Sequence, residues 1–230
     1  MSNSNALSFG IADDKKARMI AFDVRALVIA GWTGRNAAAL KHHIQELEKL
    51  GVPRPASTPI FYRLAGSRAT TRSRIEVTGA SSSGEVEFVL VCQGKKVYVG
   101  VGSDHTDRKA ETFGVTLSKQ MCDKPMAPIL WEYDSVKDHW DKLVLRSWIA
   151  EKGKRVLYQE GGVTSMRSPE DLMRRFRKGG LRDGTIMFCG TLGAKGGVRP
   201  SSCFEFELED TVKRRSITHA YDIVNLPVLG

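Results

Sequence analysis

Along this chain short strand-like runs recur, some alternating polar with apolar residues and others continuously apolar. Both patterns predict strands, because successive strand side chains point to opposite faces, covered on one side or on both. Segments of this kind are Leu7–Ile11, Ala26–Ala30, Ile60–Arg63, Arg74–Val77, Glu85–Cys92 and Lys96–Gly102, the last two joined by the turn Gln93-Gly94-Lys95. A second hairpin is read from Leu143–Ile149 and Arg155–Gln159, and strands return at Thr185–Leu192, Ser202–Leu208 and Ser216–Val224. Three stretches break the pattern. From Asn36 to Leu50 the residues Leu40, Ile44, Leu47 and Leu50 recur on one helical face, and Gly51-Val52-Pro53 stops the helix. His43 falls on that face and His42 projects almost oppositely, while Glu46 lies one turn from His43. A short helix is predicted from Ser135 to Lys142. The third begins at Ser168-Pro169-Glu170-Asp171, with a serine cap, proline at the first helical position and an acid at the third, and Gly179-Gly180 ends it. The chain therefore reads as one β-rich α+β domain over residues 1–230, with peripheral helices.

The segment Ser83-Gly84-Glu85-Val86-Glu87-Phe88-Val89-Leu90-Val91 departs from ordinary strand patterning. Glu85 and Glu87 share a face with Val89 and Val91, while Val86, Phe88 and Leu90 line the other, so both faces look covered. Two close, desolvated carboxylates are costly unless a cation joins them. Two repairs are open: a hard divalent ion held by carboxylate oxygens, or Arg and Lys partners. The similar spelling Cys203-Phe204-Glu205-Phe206-Glu207-Leu208-Glu209 lacks this property. There one face is acidic throughout and the other apolar, which describes a half-exposed strand.

At 230 residues, 41% hydrophobic and 27% charged, the chain can bury a substantial core without staples. Cys92, Cys122, Cys189 and Cys203 are widely spaced, with no zinc-ligand pattern and no secretory signal before them, which fits reduced thiols in a cytoplasmic protein. No apolar run is long enough to span a bilayer, so no membrane partner is expected. The net charge of +9 raises the question of nucleic acid. Lys and Arg are scattered, however, and the densest runs, Arg174-Arg175-Phe176-Arg177-Lys178 and Lys213-Arg214-Arg215, come with no nucleic-acid-binding signature. Attraction of a small anionic substrate explains the charge as well.

A third carboxylate is offered at Val99-Gly100-Val101-Gly102-Ser103-Asp104, where a strand delivers an acid onto a turn. Asp104 would complete a set of three oxygen ligands with open positions, or would simply cap the turn.

These residues also carry a family resemblance. The order Gly34-Arg35-Asn36, His43-x-x-Glu46, Phe61-Tyr62-Arg63, Glu85-x-Glu87, Asp104-x-Thr106-x-Arg108, Thr116-Leu117-Ser118-Lys119, Gln159-Glu160-Gly161 and Gly190-Thr191-Leu192 resembles the fumarylacetoacetate hydrolase superfamily, over about residues 30 to 225. The small, prokaryotic-type branch near the acylpyruvate hydrolases is the most similar. The resemblance implies a mixed β-sandwich roll, with N-terminal strands in residues 1–30 and a catalytic roll over about 31–225, assembled as a homodimer. It implies Mg²⁺, or Mn²⁺ or Ca²⁺ in its place, on Glu85, Glu87 and Asp104. It further implies His43 with Glu46 as the pair that activates water, Lys119 as the support for developing negative charge, and Arg108, Gln159 and Thr191 as substrate contacts. The expected activity is hydrolysis of a carbon–carbon bond in a small oxo-acid or β-diketone, with a decarboxylase, tautomerase or hydratase as the alternative and a non-catalytic binding module as a further one. Glu111 stands where glutamine is common in the family, Asp107 where a small residue is usual, and Arg63 where lysine is frequent, so substrate identity stays open.

Overall fold

The computed structural model describes residues 5–12, 18–49 and 54–229, without the side chains of residues 43 and 46–49. In chain order the first elements are β1 (Ala6–Ile11), β2 (Arg18–Asp23), β3 (Ala26–Gly31), α1 (Ala37–Lys49), β4 (Ile60–Leu64), β5 (Ala69–Thr70), β6 (Arg74–Thr78) and β7 (Ser82–Ser83). Next come β8 (Val86–Gln93), β9 (Lys96–Ser103), β10 (Thr106–Asp107), α2 (Arg108–Glu111), α3 (Val115–Met121), β11 (Lys124–Pro125) and β12 (Ile129–Glu132). The chain continues through β13 (Leu143–Glu151), β14 (Lys154–Gly162), α4 (Pro169–Phe176), β15 (Thr185–Thr191), β16 (Cys203–Asp210) and β17 (Arg215–Leu226).

Two large sheets result. The first has the order β2-β1-β12-β9-β8-β15-β3-β4, and the second β14-β13-β16-β17-β6. Most neighbours are antiparallel, but β1 with β12, β15 with β3 and β17 with β6 run parallel, which makes both sheets mixed. Alternation decides which side chains meet. Val86, Phe88 and Leu90 of β8 join Phe204, Phe206 and Leu208 of β16 in the core between the sheets. Val89 and Val91 turn the other way, into a second core with Phe9, Phe22, Leu27 and Ile186. Because this second core draws on β1 and β2 from one end of the eight-stranded sheet and on β3 from near the other, that sheet curls around it. The fold is thus β-rich α+β, a curled mixed roll packed against a second sheet.

Local chemistry accounts for the helices. Asn36 caps α1, its Oδ1 accepting from the N–H groups of Ala38 and Ala39 at 3.0 Å each. Ser168 caps α4 by accepting from Asp171 N, with proline in the first turn, as the sequence predicts. That helix nevertheless ends at Phe176, ahead of the glycines, because the chain turns extended at Arg177 (φ −160°). The helix expected over Ser135–Lys142 is two short 3₁₀ segments, Tyr133–Ser135 and Lys137–Lys142, broken at His139. There the buried Trp140 ring packs edge-on against Phe88 at 5.0 Å and Tyr133 at 5.6 Å, and this tertiary anchor overrides helical propensity. Glu205 and Glu207 behave as the half-exposed strand reading requires, pairing with Arg155 and Arg146 on the open face of β16.

Candidate active site

Strand direction places the site at one rim of the curled sheet. There β8 begins while β9, β15 and β3 end, since β8 is antiparallel to β9 and β15, and β15 is parallel to β3. Glu87 stands opposite Gly102 of β9 and Thr191 of β15. Glu85 lies just before β8, and its carbonyl accepts the N–H of Asp104, the residue that follows β9, at 3.0 Å. Each of Glu85, Glu87 and Asp104 brings one carboxylate oxygen within 4.8 Å of the others. The pairing of two strand ends therefore does what the spacing within β8 could not do alone, by adding the third acid.

Gly190 closes the arrangement from β15. Its φ is +98°, and a Cβ there would sit 1.8 Å from Thr33 Oγ1, so only glycine fits. The backbone that results donates Gly190 N–H to Glu87 Oε2 at 2.8 Å. Two short helices then bring cations. Asp107 caps α2 by accepting from Ala110 N at 2.8 Å, which sets Arg108 beside Glu85 at 3.1 Å. From α3, Lys119 donates to Asp104 Oδ2 in a very short contact and lies 3.8 Å from Glu85 Oε2. A further lysine, Lys124, is wholly buried. It donates to the carbonyls of His105 at 2.6 Å and Cys122 at 3.0 Å, and its ammonium lies 3.4 Å from Asp104 Oδ1.

The cations divide the acids unequally. Burial alone would push Asp104 up, but the Lys119 and Lys124 ammonium groups, with Arg108 behind them, hold its carboxyl below the ordinary value. Burial would likewise pull Lys119 down, yet Asp104 and Glu85 hold it above its ordinary value, so it stays charged. Glu87 goes the other way. Burial first, then the Asp104 and Glu85 charges, raise it well above the usual carboxylate range, against the pull of Lys119 and the Gly190 N–H. Among the described residues no ion pair reaches Glu87.

The three acids open onto a cavity of about 400 Å³ whose wall also includes Trp32, Leu40, Glu111, Lys119 and Thr191. Trp32 follows β3 with φ 56°, a left-handed conformation uncommon for any residue other than glycine. The donor set fits a hard divalent cation, since three carboxylates converge and one of their oxygens, Asp104 Oδ1, is buried with no hydrogen-bond partner.

Behind Asp104 lies a sealed polar relay. His105 Nδ1 meets Tyr221 Oη at 2.8 Å, His105 Nε2 meets Ser82 Oγ at 2.8 Å, and Tyr221 donates to Ser103 Oγ at 2.8 Å. Burial first, then the Lys124 and Arg108 charges, hold the imidazole down from 6.5 to about 3. Because the folded value is depressed, the unfolded chain takes up a proton that the folded one refuses, and stability falls as pH drops from 6.5 towards 3. Urea unfolding across a pH series is expected to show this loss, with a slope approaching about 1.4 kcal/mol per pH unit for one proton. His105→Gln should flatten the slope in the window above 3.8, the ordinary value of the Asp104 carboxyl. An unchanged slope would assign the acid sensitivity elsewhere.

Of the residues singled out from sequence, Glu85, Glu87, Asp104, Lys119 and Thr191 meet around the cavity. Arg108 flanks it, with Nε donating to Ser83 Oγ at 2.7 Å and Nη1 to Glu111 Oε2 at 3.0 Å, while Nη2 lies 3.1 Å from Glu85 Oε1 and is buried without a hydrogen bond. Gln159, expected to contact substrate, lies buried behind Thr191 instead. It accepts from Val86 N and Ser147 Oγ and donates to Thr191 Oγ1 and the Leu192 carbonyl, which leaves it no free donor. The backbones of His43 and Glu46 belong to α1, but their side chains lie outside the described residues. On the same helix Leu40 lines the cavity, Ile44 is buried and His42 is exposed. Lys124, Trp32 and the His105–Tyr221 relay were not anticipated. Nothing in the local spelling of Asp123-Lys124-Pro125 distinguishes a buried lysine from a solvated one.

A curled mixed roll with acids at its rim defines a class, and comparison with solved structures agrees. The chain has the fumarylacetoacetate hydrolase fold, matching a yeast fumarylacetoacetate hydrolase family protein at 17% identity and a TM-score of 0.61, over 90% of this chain and 95% of that one. It also matches a 2-keto-3-deoxy-D-arabinonate dehydratase complexed with magnesium and 2,5-dioxopentanoate, at 15% identity and 0.63, over 94% and 79% of the two chains. A third match is Cg1458 crystallised with an inhibitor, at 16% identity and 0.64, over 92% and 81%. No curated protein sequence matches. The chain belongs to the family described as "Protein of unknown function (DUF2848)", whose profile matches residues 30–221. The four cysteines are free thiols, and among the described residues no helix is long and apolar enough to cross a membrane.

Proposed function

We propose that this protein is a divalent-metal-dependent enzyme acting on a small oxo-acid or β-diketone, and that it hydrolyses a carbon–carbon bond in an acylpyruvate-like substrate. The observation that carries the proposal is the convergence of the Glu85, Glu87 and Asp104 oxygens within 4.8 Å beside Lys119 on a cavity wall. Those three residues would hold Mg²⁺, Mn²⁺ or Ca²⁺, which when bound supplies Lewis-acid polarisation of a carbonyl. Lys119 Nζ, kept protonated by Asp104 and Glu85, presents positive charge towards an oxygen that becomes negative as the bond breaks. Leu40 and Trp32 give the cavity wall apolar surface beside the acids. In this reading His43, oriented by Glu46, takes the proton from the attacking water at a ring nitrogen. A homodimer of single catalytic domains, in the cytoplasm, belongs to the same proposal.

The test is a screen of the purified protein with Mg²⁺ against acylpyruvates, oxaloacetate and related oxo-acids, following loss of enol absorbance. Turnover that requires Mg²⁺ is expected, and none across the panel would count against the reading. A second reading is a dehydratase or decarboxylase on the same site, favoured because one structural neighbour is a dehydratase complexed with magnesium and a dioxo compound. The two differ at His43. Under the first, His43→Ala is expected to lower kcat by about 10²–10⁴-fold, whereas unchanged turnover would favour the second.

A further inference from the structure

At the far end of the same strands lies a second concavity that the carboxylate site does not use. β3 and β15 start where it opens, at Ala26 and Thr185, about 20 Å along β15 from Thr191. Its volume is about 860 Å³, and four arginines line it from three parts of the chain: Arg25, Arg63, and the pair Arg177 and Arg182 between α4 and β15. Arg25 is neutralised by Asp183 at 2.8 Å and Asp23 at 3.2 Å, and Asp183 is further held by the Gly94 N–H at 2.7 Å. Among the described residues no ion pair reaches Arg63, Arg177 or Arg182. The basic run at the end of α4 is thereby divided. Arg174 and Arg175 fold back onto Asp171, whereas Arg177 turns to the concavity where the helix ends.

Arg63, Arg177 and Arg182 are exposed, so water carries the cost of grouping them, and an anion seated in the hollow would gain pairing that no carboxylate among the described residues supplies. Guanidinium forks match phosphate oxygens in pairs, which makes phosphate the best-fitting anion. The floor supplies a second element. Phe176 lines the hollow, its ring held against Phe61 at 5.1 Å, and Leu181 lines it too, so apolar surface is present on the same wall as the arginines. We propose that this concavity binds a phosphorylated small molecule of the nucleoside-diphosphate class, through Arg63, Arg177 and Arg182 with Phe176 beneath. It is a site separate from the carboxylate cluster, and it does not depend on the metal reading.

The probes are inorganic pyrophosphate and ADP, titrated calorimetrically into the full-length protein in phosphate-free buffer with EDTA, which keeps metal at the carboxylates from contributing. Saturable binding of at least one probe is expected. The double variant Arg177→Gln/Arg182→Gln should weaken it by at least about tenfold. Arg174→Gln/Arg175→Gln, whose guanidiniums are tied to Asp171, should leave it unchanged. Phe176→Leu should weaken ADP but not pyrophosphate if the ring carries a base, and both probes alike would weaken if it only shapes the floor. Either pattern supports the site once the arginine pair is required. Melting curves check that each variant is folded, and Arg63→Gln gives an independent arm on β4, away from the segment that carries Arg177 and Arg182. Absence of saturable binding, equal loss in the two double variants, or tighter and steeply salt-dependent binding of a single-stranded oligonucleotide would overturn the proposal.

Discussion

Glu87→Gln is expected to abolish divalent-cation binding and turnover while leaving the apo protein as stable as before, or more so. The sign follows from burial. Glu87 is held well above its ordinary value because its charged form is desolvated beside Asp104 and Glu85. A carboxyl whose folded value is raised contributes stability below its unfolded value, and that stability is lost as pH rises through the folded one. At neutral pH the folded chain therefore bears a cost that a neutral amide removes, and the amide oxygen can still accept the Gly190 N–H. Asp104→Asn should lose the cation too, but with the opposite effect on stability. Asp104 is the partner of Lys119 and Lys124, and its value is depressed, so removing its charge leaves the buried Lys124 ammonium without a carboxylate and Lys119 with only Glu85 at 3.8 Å. That cost is roughly 3–5 kcal/mol. Loss of a direct ligand should lower metal affinity by more than the roughly 10–100-fold typical of outer-shell partners. Titration with Mn²⁺ and urea unfolding of both variants check the pair of effects, and equal destabilisation of the two would contradict the charge distribution described for the site.

The second large effect is structural. Gly190→Ala should unfold the rim from which Glu87 is held, because it combines a positive φ of +98° with a Cβ 1.8 Å from Thr33 Oγ1 and 3.2 Å from Met166 Cγ. The conformational part costs roughly 1–2 kcal/mol and the overpacking roughly 1–3 kcal/mol more. At about 2–4 °C per kcal/mol for a chain of this size, the melting temperature should fall by roughly 4–20 °C. Gly94→Ala provides the comparison, since Gly94 also has a positive φ (+62°) but meets nothing within 4 Å. Its variant should show the conformational cost alone. Thermal melts of the two should differ by the price of the close approach, and similar melts would mean that Thr33 moves freely.

What could be read from sequence depended on whether the cause was local. Alternation in β8 put Glu85 and Glu87 on one face and showed that face to be covered, and the structure has Val89 and Val91 in one core and Val86, Phe88 and Leu90 in the other. The same rule separated Glu205 and Glu207, which lie on an open face. The cap at Ser168 is three-residue chemistry and was equally legible, whereas the sequence pattern marks Asn36 only as the start of its helix and the structure shows it to be the cap. The sequence reading offered metal or cationic partners as alternatives, and the structure shows that cations are present, with Arg108, Lys119 and Lys124 around the acids. It leaves Glu87 as the carboxylate that ion pairing among the described residues does not absorb.

Elements whose cause is distant were missed. β12 is only four residues long and exists because it pairs with β1 and β9. β2, with the exposed Met19, completes a hairpin with β1 whose pattern is half solvent-facing. α2 and α3 are too short for a helical period to show and are interrupted at Gly114. Gln159 matched a motif, yet its role is set by four partners from β8, β13 and the segment around Thr191, which no local pattern reveals.

The most direct test is a crystal grown with Mn²⁺ and measured at its absorption edge. One anomalous peak is expected among the Glu85, Glu87 and Asp104 carboxylates, at oxygen-ligand distances of roughly 2.0–2.6 Å, the range spanned by hard divalent ions. No peak there, with the three acids still bridged by Lys119, Lys124 and Arg108 alone, would make the cluster a structural ion network and contradict the metal site.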